Sequence, residues 1–134
     1  MSKRSSILLA LPLVLFVAGC GSDSPTGVNV VDTVPPVAVL ELEAATVTTT
    51  SVQLVWTENT EPDLAGYRVY RSVANGDVSL VGVEMAAGFR DGNVEAGNVY
   101  RYQVGAFDTA GNESPRVVLW VSVGTTGPGR GDVE

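Results

Sequence analysis

One thiol, fifteen carboxylates and no imidazole set the chemistry open to this chain of 134 residues. No histidine is present, and the only lysine is Lys3. Catalytic triads built on histidine, paired Cys–His nucleophiles and lysine Schiff bases therefore lack their parts. Metal sites made of thiolate and imidazole lack theirs as well, so neither a metal nor a cofactor is expected. What remains is Cys20 and the acids. A lone cysteine has chemistry only if its surroundings deliver a reagent to it, so the residues before Cys20 decide how it is read.

Lys3 and Arg4 give a short positive segment, and Ile7 to Val17 follow as an apolar run interrupted by Pro12. This order of charge, then apolar core, then small residues is that of a secretory signal. The run is too short for a membrane-spanning helix, which needs about 20 apolar residues. It ends in Val17-Ala18-Gly19-Cys20, which resembles the lipobox of bacterial lipoproteins. The resemblance implies cleavage between Gly19 and Cys20 and attachment of diacylglycerol and palmitate-type chains to the Cys20 thiol. Acyl chains bury about 0.8 kcal/mol per methylene, so two or three give stable membrane anchoring. With Gly21 instead of Asp after the cysteine, the same resemblance implies the outer membrane where the host has two.

The division expected is residues 1–19 as signal peptide, 20–34 as flexible tether, 35–124 as one globular domain and 125–134 as a disordered tail. Ser22, Asp23, Ser24, Pro25, Thr26 and Gly27 make the tether small and polar, and Pro35-Pro36 closes it. Without Lys3 and Arg4, six arginines (Arg68, Arg71, Arg90, Arg101, Arg116 and Arg130) face all fifteen acids. A body this acidic lacks the basic footprint of a nucleic-acid binder. With a single cysteine, and that one expected to carry lipid, no disulfide is expected, and a hydrophobic core must hold the domain.

The domain reads as short strands. Val37 to Glu43 alternates, and Ser51 to Trp56 places Val52, Leu54 and Trp56 on one face. Tyr67 to Arg71 follows, and Asn75-Gly76 suits a tight hairpin turn into Val78 to Val83. Tyr100 to Ala106 and Arg116 to Val123 complete the pattern. Turns recurring at about ten-residue spacing suggest an all-β sandwich.

In Leu54-Val55-Trp56, Asp63 to Arg71, Val94 to Tyr100 and Ala106 to Ser114 the sequence resembles the fibronectin type III module. Val94 and Ala96 stand where that pattern has leucine and proline. The resemblance implies an all-β, seven-stranded immunoglobulin-like sandwich, with the loops around Glu58 and Asp108 at one end. Leu54, Trp56, Tyr67, Val69, Val94, Tyr100, Tyr102 and Val104 are read as structural core. Tyr100 is expected to bond backbone in the preceding connection, as a tyrosine corner does.

Two groups remain that could bind something. Glu58, Asn59, Glu61 and Asp63 with Asp108, Asn112 and Glu113 offer oxygens to Ca²⁺, but their spacing matches no calcium loop, and solvated turns are the simpler reading. If Tyr67 and Val69 point inward, then Arg68, Tyr70, Arg101, Gln103 and Trp120 form an outward aromatic–arginine face, a surface suited to an envelope protein or a glycan. Stacking of Arg101 on Trp120 explains that pair without any ligand. Arg130-Gly131-Asp132 matches the integrin-recognition tripeptide, in a glycine-rich tail where such matches arise by chance. Paired acids alone can hydrolyse glycosides, yet a small sandwich offers no deep cleft to tune them, so the chain is not expected to be an enzyme. The expectation is a lipid-anchored module of the cell envelope acting in protein interaction or as a spacer, with a carbohydrate-binding module or a subunit of a larger envelope assembly as alternatives.

Overall fold

A computed structural model describes residues 30–125. The signal-like segment, Cys20 and Arg130-Gly131-Asp132 lie outside the described residues. Among those described there is no helix and there are seven strands: β1 (Leu40–Val47), β2 (Val52–Thr57), β3 (Leu64–Val73), β4 (Ser79–Glu84), β5 (Gly88–Asp91), β6 (Val99–Asp108) and β7 (Val117–Ser122). They form a three-stranded sheet in the order β1-β2-β5 and a four-stranded sheet in the order β4-β3-β6-β7. Every strand pairing is antiparallel.

The side-chain period of two decides what enters the core. In β2, Val52, Leu54 and Trp56 are buried while Gln53 and Val55 are half-buried on the other face. In the opposite sheet Tyr67, Val69, Tyr102 and Val104 meet them, and Val94, Tyr100 and Val121 close the far end. Trp56 stands edge-on to Tyr67, with ring centroids 5.1 Å apart. Its indole N–H is buried without a hydrogen-bond partner. That omission costs about 1–3 kcal/mol, less than the roughly 4–6 kcal/mol gained by burying a ring of that size. The Tyr100 hydroxyl accepts a hydrogen bond from the Glu95 N–H at 2.8 Å, the expected corner.

Three local details differ from the sequence reading. β1 starts at Leu40, not Val37, because the Val37 N–H donates to Glu61 at 2.6 Å and its carbonyl accepts from Asn59 at 2.8 Å, so a loop takes the backbone groups a ladder would need. The β3–β4 connection is no two-residue Asn-Gly hairpin. It spans residues 74–78, Ala74 takes the left-handed conformation (φ 47°), and Gly76 N–H closes the turn on the Val73 carbonyl. β5 was not visible in the alternation: it has four residues, and it supplies Asp91.

Asp91 ties the two sheets together. Its carboxylate is 4% exposed and accepts from Arg71 Nη1 of β3 at 2.6 Å and from the Tyr102 hydroxyl of β6 at 2.8 Å. Asn93 N–H donates to its other oxygen. Burial pushes the carboxyl up, but bonds from Asn93, Arg71 and Tyr102 outweigh that and hold it below the usual aspartate range. At Gly66 (φ 151°) a Cβ would stand 2.5 Å from the Glu84 carbonyl of β4, so only glycine permits this approach of β3 to its neighbour.

Candidate functional site

The outer surface of the four-stranded sheet is laid out in rows by strand register. Tyr70, Gln103 and Val118 are cross-strand neighbours in the middle row. Ser72, Arg101 and Trp120 form the row on one side, and Val83, Arg68 and Gly105 the row on the other. All five residues of the expected face, Arg68, Tyr70, Arg101, Gln103 and Trp120, thus share one surface. Val117, Leu119 and Val121 of β7 point toward the core, which leaves Val118 and Trp120 outside. Trp120 is 50% exposed with Val118 near it on the same strand, and Leu80 and Val83 expose aliphatic surface at the opposite, β4 edge of this face.

The face is not an open aromatic platform throughout. Gln103 is only 8% exposed, flanked by Tyr70 and Val118. The Tyr70 ring is capped by the Arg116 guanidinium, 3.5 Å from its centroid. Its hydroxyl donates to Glu113 at 2.9 Å. Tyr70 is therefore committed to local partners, and Trp120, with Arg101 at 5.8 Å from its ring, is the aromatic group left for contact.

Glu113 organises this surface, a role the sequence did not disclose. The segment before β7 folds back on β6 through the Phe107–Glu113 bridge and the Ser114 N–H bond to the Ala106 carbonyl. The Glu113 side chain then lies over Gly105, where an added Cβ would come within 2.9 Å of it. It accepts from Arg68 at 2.9 Å, Tyr70 at 2.9 Å and Arg116 at 2.7 Å. Burial raises its carboxyl, yet bonds from Arg116, Arg68 and Tyr70 prevail and keep it below the usual glutamate range. A carboxyl held ionised in this way cannot donate a proton as a general acid. Glu113 was expected among the loop acids, and the structure moves it onto the sheet face.

At the loop end, Asp32 joins Asp63 and Asp108, with carboxylate oxygens all within 4.8 Å of one another. That span suits one hard cation, but three oxygens fill only about half of the six to eight positions calcium takes. Asp108, 1% exposed, already accepts from the backbone and side-chain N–H groups of Asn112 at 2.9 and 2.8 Å, as a turn residue does. Asn112 also donates to the Asp32 carbonyl, which draws the incoming chain onto this end. Sequence spacing gave no sign of Asp32, because it lies far from the two loops in the chain.

Comparison with known proteins places the fold. No protein-family model matches the chain. Over 102 residues, 75% of its length, it is 35% identical to Exoglucanase B of Cellulomonas fimi, and it spans only 9% of that protein. Among solved structures it is similar to a human fourth FNIII domain (TM-score 0.60, 21% identity, covering 83% of this chain and 100% of that one). It is also similar to the chicken CNTN1 FN1–FN3 domains (TM-score 0.60, 16% identity, 68% and 33%). A human fibronectin type III domain derived from KIAA0970 protein gives 0.57 at 16% identity, covering 67% and 75%. The fold is the immunoglobulin-like sandwich of fibronectin type III domains.

Proposed function

We infer that this sandwich is a non-catalytic module, held at the cell envelope by lipid on Cys20, that binds an envelope protein through the outer face of its four-stranded sheet. The observation carrying the reading is the segregation of surface chemistry. Arg68 and Arg116 share a single acid, Glu113, and Arg101 lies against exposed Trp120 beside Val118, with Leu80 and Val83 exposed at the β4 edge of the same face, on a chain whose formal charge is −7. Arginine and tryptophan amid apolar surface are the residue types that dominate binding energy in interfaces. Catalysis has no such support. Both carboxylates with the richest hydrogen bonding, Asp91 and Glu113, are held ionised, and neither faces an acid with a raised pKa. The apolar run before Val17-Ala18-Gly19-Cys20 supports the anchor. A tether of about 15 residues at roughly 3.5 Å each would keep the loop end within about 50 Å of the bilayer.

The test is recovery of the intact protein from its own membranes, with Cys20→Ser as control. The reading predicts membrane attachment that Cys20→Ser abolishes, and a protein co-purifying with the anchored form. Continued membrane attachment of Cys20→Ser would remove the anchor. Glycoside or ester hydrolysis by the purified protein, lost on substituting one acid, would remove the non-catalytic reading.

A second reading is favoured by the 35% identity to part of an exoglucanase. In it the Trp120 face binds polysaccharide, and Trp120→Ala abolishes retention on glucan without unfolding the domain.

A further inference from the structure

Four strands lie at sheet edges, and three of them are blunted. β1 carries two register shifts, a left-handed residue at Glu41 and the charges of Glu41 and Glu43. β4 is broken by a register shift, and β5 has four residues. Bulges, charges and shortness are the devices by which sheet edges avoid pairing with other chains. β7 has none of them. Its six residues Val117-Val118-Leu119-Trp120-Val121-Ser122 pair with β6 in unbroken register and include no charge and no proline.

The free side of that edge can be identified. Val123 N–H bonds the Asn98 carbonyl, so by antiparallel alternation residues 121, 119 and 117 also bond β6. Val118, Trp120 and Ser122 then turn their N–H and carbonyl groups away from the sheet, and among the described residues no backbone bond takes them up. Their side chains are the exposed ones of β7. Charge at this edge points one way. Arg101 lies against Trp120 and pairs with no carboxylate among the described residues, while Arg116 at the start of the strand shares Glu113 with Arg68.

We propose that β7 is a docking edge that takes an extended peptide segment of a partner protein, alternating apolar and acidic residues, as a fifth strand of the sheet. The inference rests on the protein-interaction reading above and names the partner's chemistry and its mode of binding. Main-chain bonds to Val118, Trp120 and Ser122 supply affinity in strand addition, and neighbouring side chains select the sequence. Carboxylates on the added strand meet Arg101 and Arg116. A second copy fits worse, because pairing β7 with β7 brings two arginine-rich faces side by side.

The test is titration of the purified domain, followed by amide NMR, with an acetylated Val-Glu-Val-Glu-Val-Glu peptide and its lysine counterpart. The acidic peptide should shift the amides of Val118, Trp120 and Ser122, and Arg101→Glu should weaken it at least roughly tenfold. Val118→Pro, at an outward N–H that the β6 ladder does not use, should abolish binding, and Val118→Glu, which sets a like charge against the peptide's carboxylates, provides a second block should the proline disturb the fold. No movement of β7 amides to about 1 mM peptide, equal binding of the lysine peptide, or self-association through β7 overturns the proposal. Capture from membranes separates this from the parent reading. A partner held equally by wild type and Val118→Pro leaves the interaction reading standing and removes the β7 edge, whereas no captured protein removes both.

Discussion

Asp91 and Glu113 receive nearly the same set of donors and do different work. Each carboxylate takes an arginine from β3, Arg71 or Arg68, and a tyrosine hydroxyl, Tyr102 or Tyr70. Each gains a further donor nearby in the chain, Asn93 N–H for one and Arg116 for the other. The difference is location. Asp91 sits between the sheets at 4% exposure, and Glu113 lies on the outside of one sheet at 18%. Enclosed, the arrangement locks β5 to β3 and β6. On the surface it fixes the arginines of a face and caps Tyr70. Burial, more than the identity of the partners, decides whether a charged cluster holds a fold together or only orders an outer surface.

The largest effect should come from breaking the enclosed cluster. Asp91→Ala leaves Arg71 and the Tyr102 hydroxyl without their acceptor and should destabilise the domain by about 3–5 kcal/mol in urea denaturation. Gly105→Ala forces Glu113 off the sheet without touching Asp91, and a loss of about 1–3 kcal/mol is expected. Glu113→Gln should lower stability by about 1 kcal/mol or less, with an unchanged core in amide spectra. Equal losses for Asp91→Ala and Glu113→Gln would break the comparison.

The pH dependence sharpens it. Both carboxyls have folded pKa values below their unfolded ones, so both contribute stability above the ordinary carboxylate range. That contribution should be lost as pH falls below about 4, through the folded values. Asp91→Asn should flatten the acid limb of the stability curve more than Glu113→Gln does. The smallest effect belongs to Trp120→Ala, which removes an exposed cation–π contact worth roughly 0.5–1 kcal/mol.

Much of the fold was legible because long strands alternate. Val52, Leu54 and Trp56, Tyr67 and Val69, Tyr100, Tyr102 and Val104 declared their face by period alone, and the same rule placed Trp120 outside. β5 was not legible, since Gly88-Phe89-Arg90-Asp91 is too short to show a period and ends on an acid. The carboxylate clusters were hidden for another reason. Arg71 and Asp91 are 20 residues apart and Arg68 and Glu113 are 45 apart, so only the assembled sheets bring them together. Alternation assigned Gln103 outward correctly and still missed its burial, because neighbours in the same row cover it. Membership in the arginine–aromatic face was readable, but Glu113, which arranges it, was not.

In the function proposed above, the outer sheet face binds a protein while Asp91 keeps the sandwich closed. Capture from the host's own membranes by the anchored wild type and by Arg101→Glu tests it most directly. A protein should be retained by the wild type and lost in Arg101→Glu, with both forms unfolding at the same urea concentration. Retention of the same protein by Arg101→Glu, or capture of no protein by either, would contradict it.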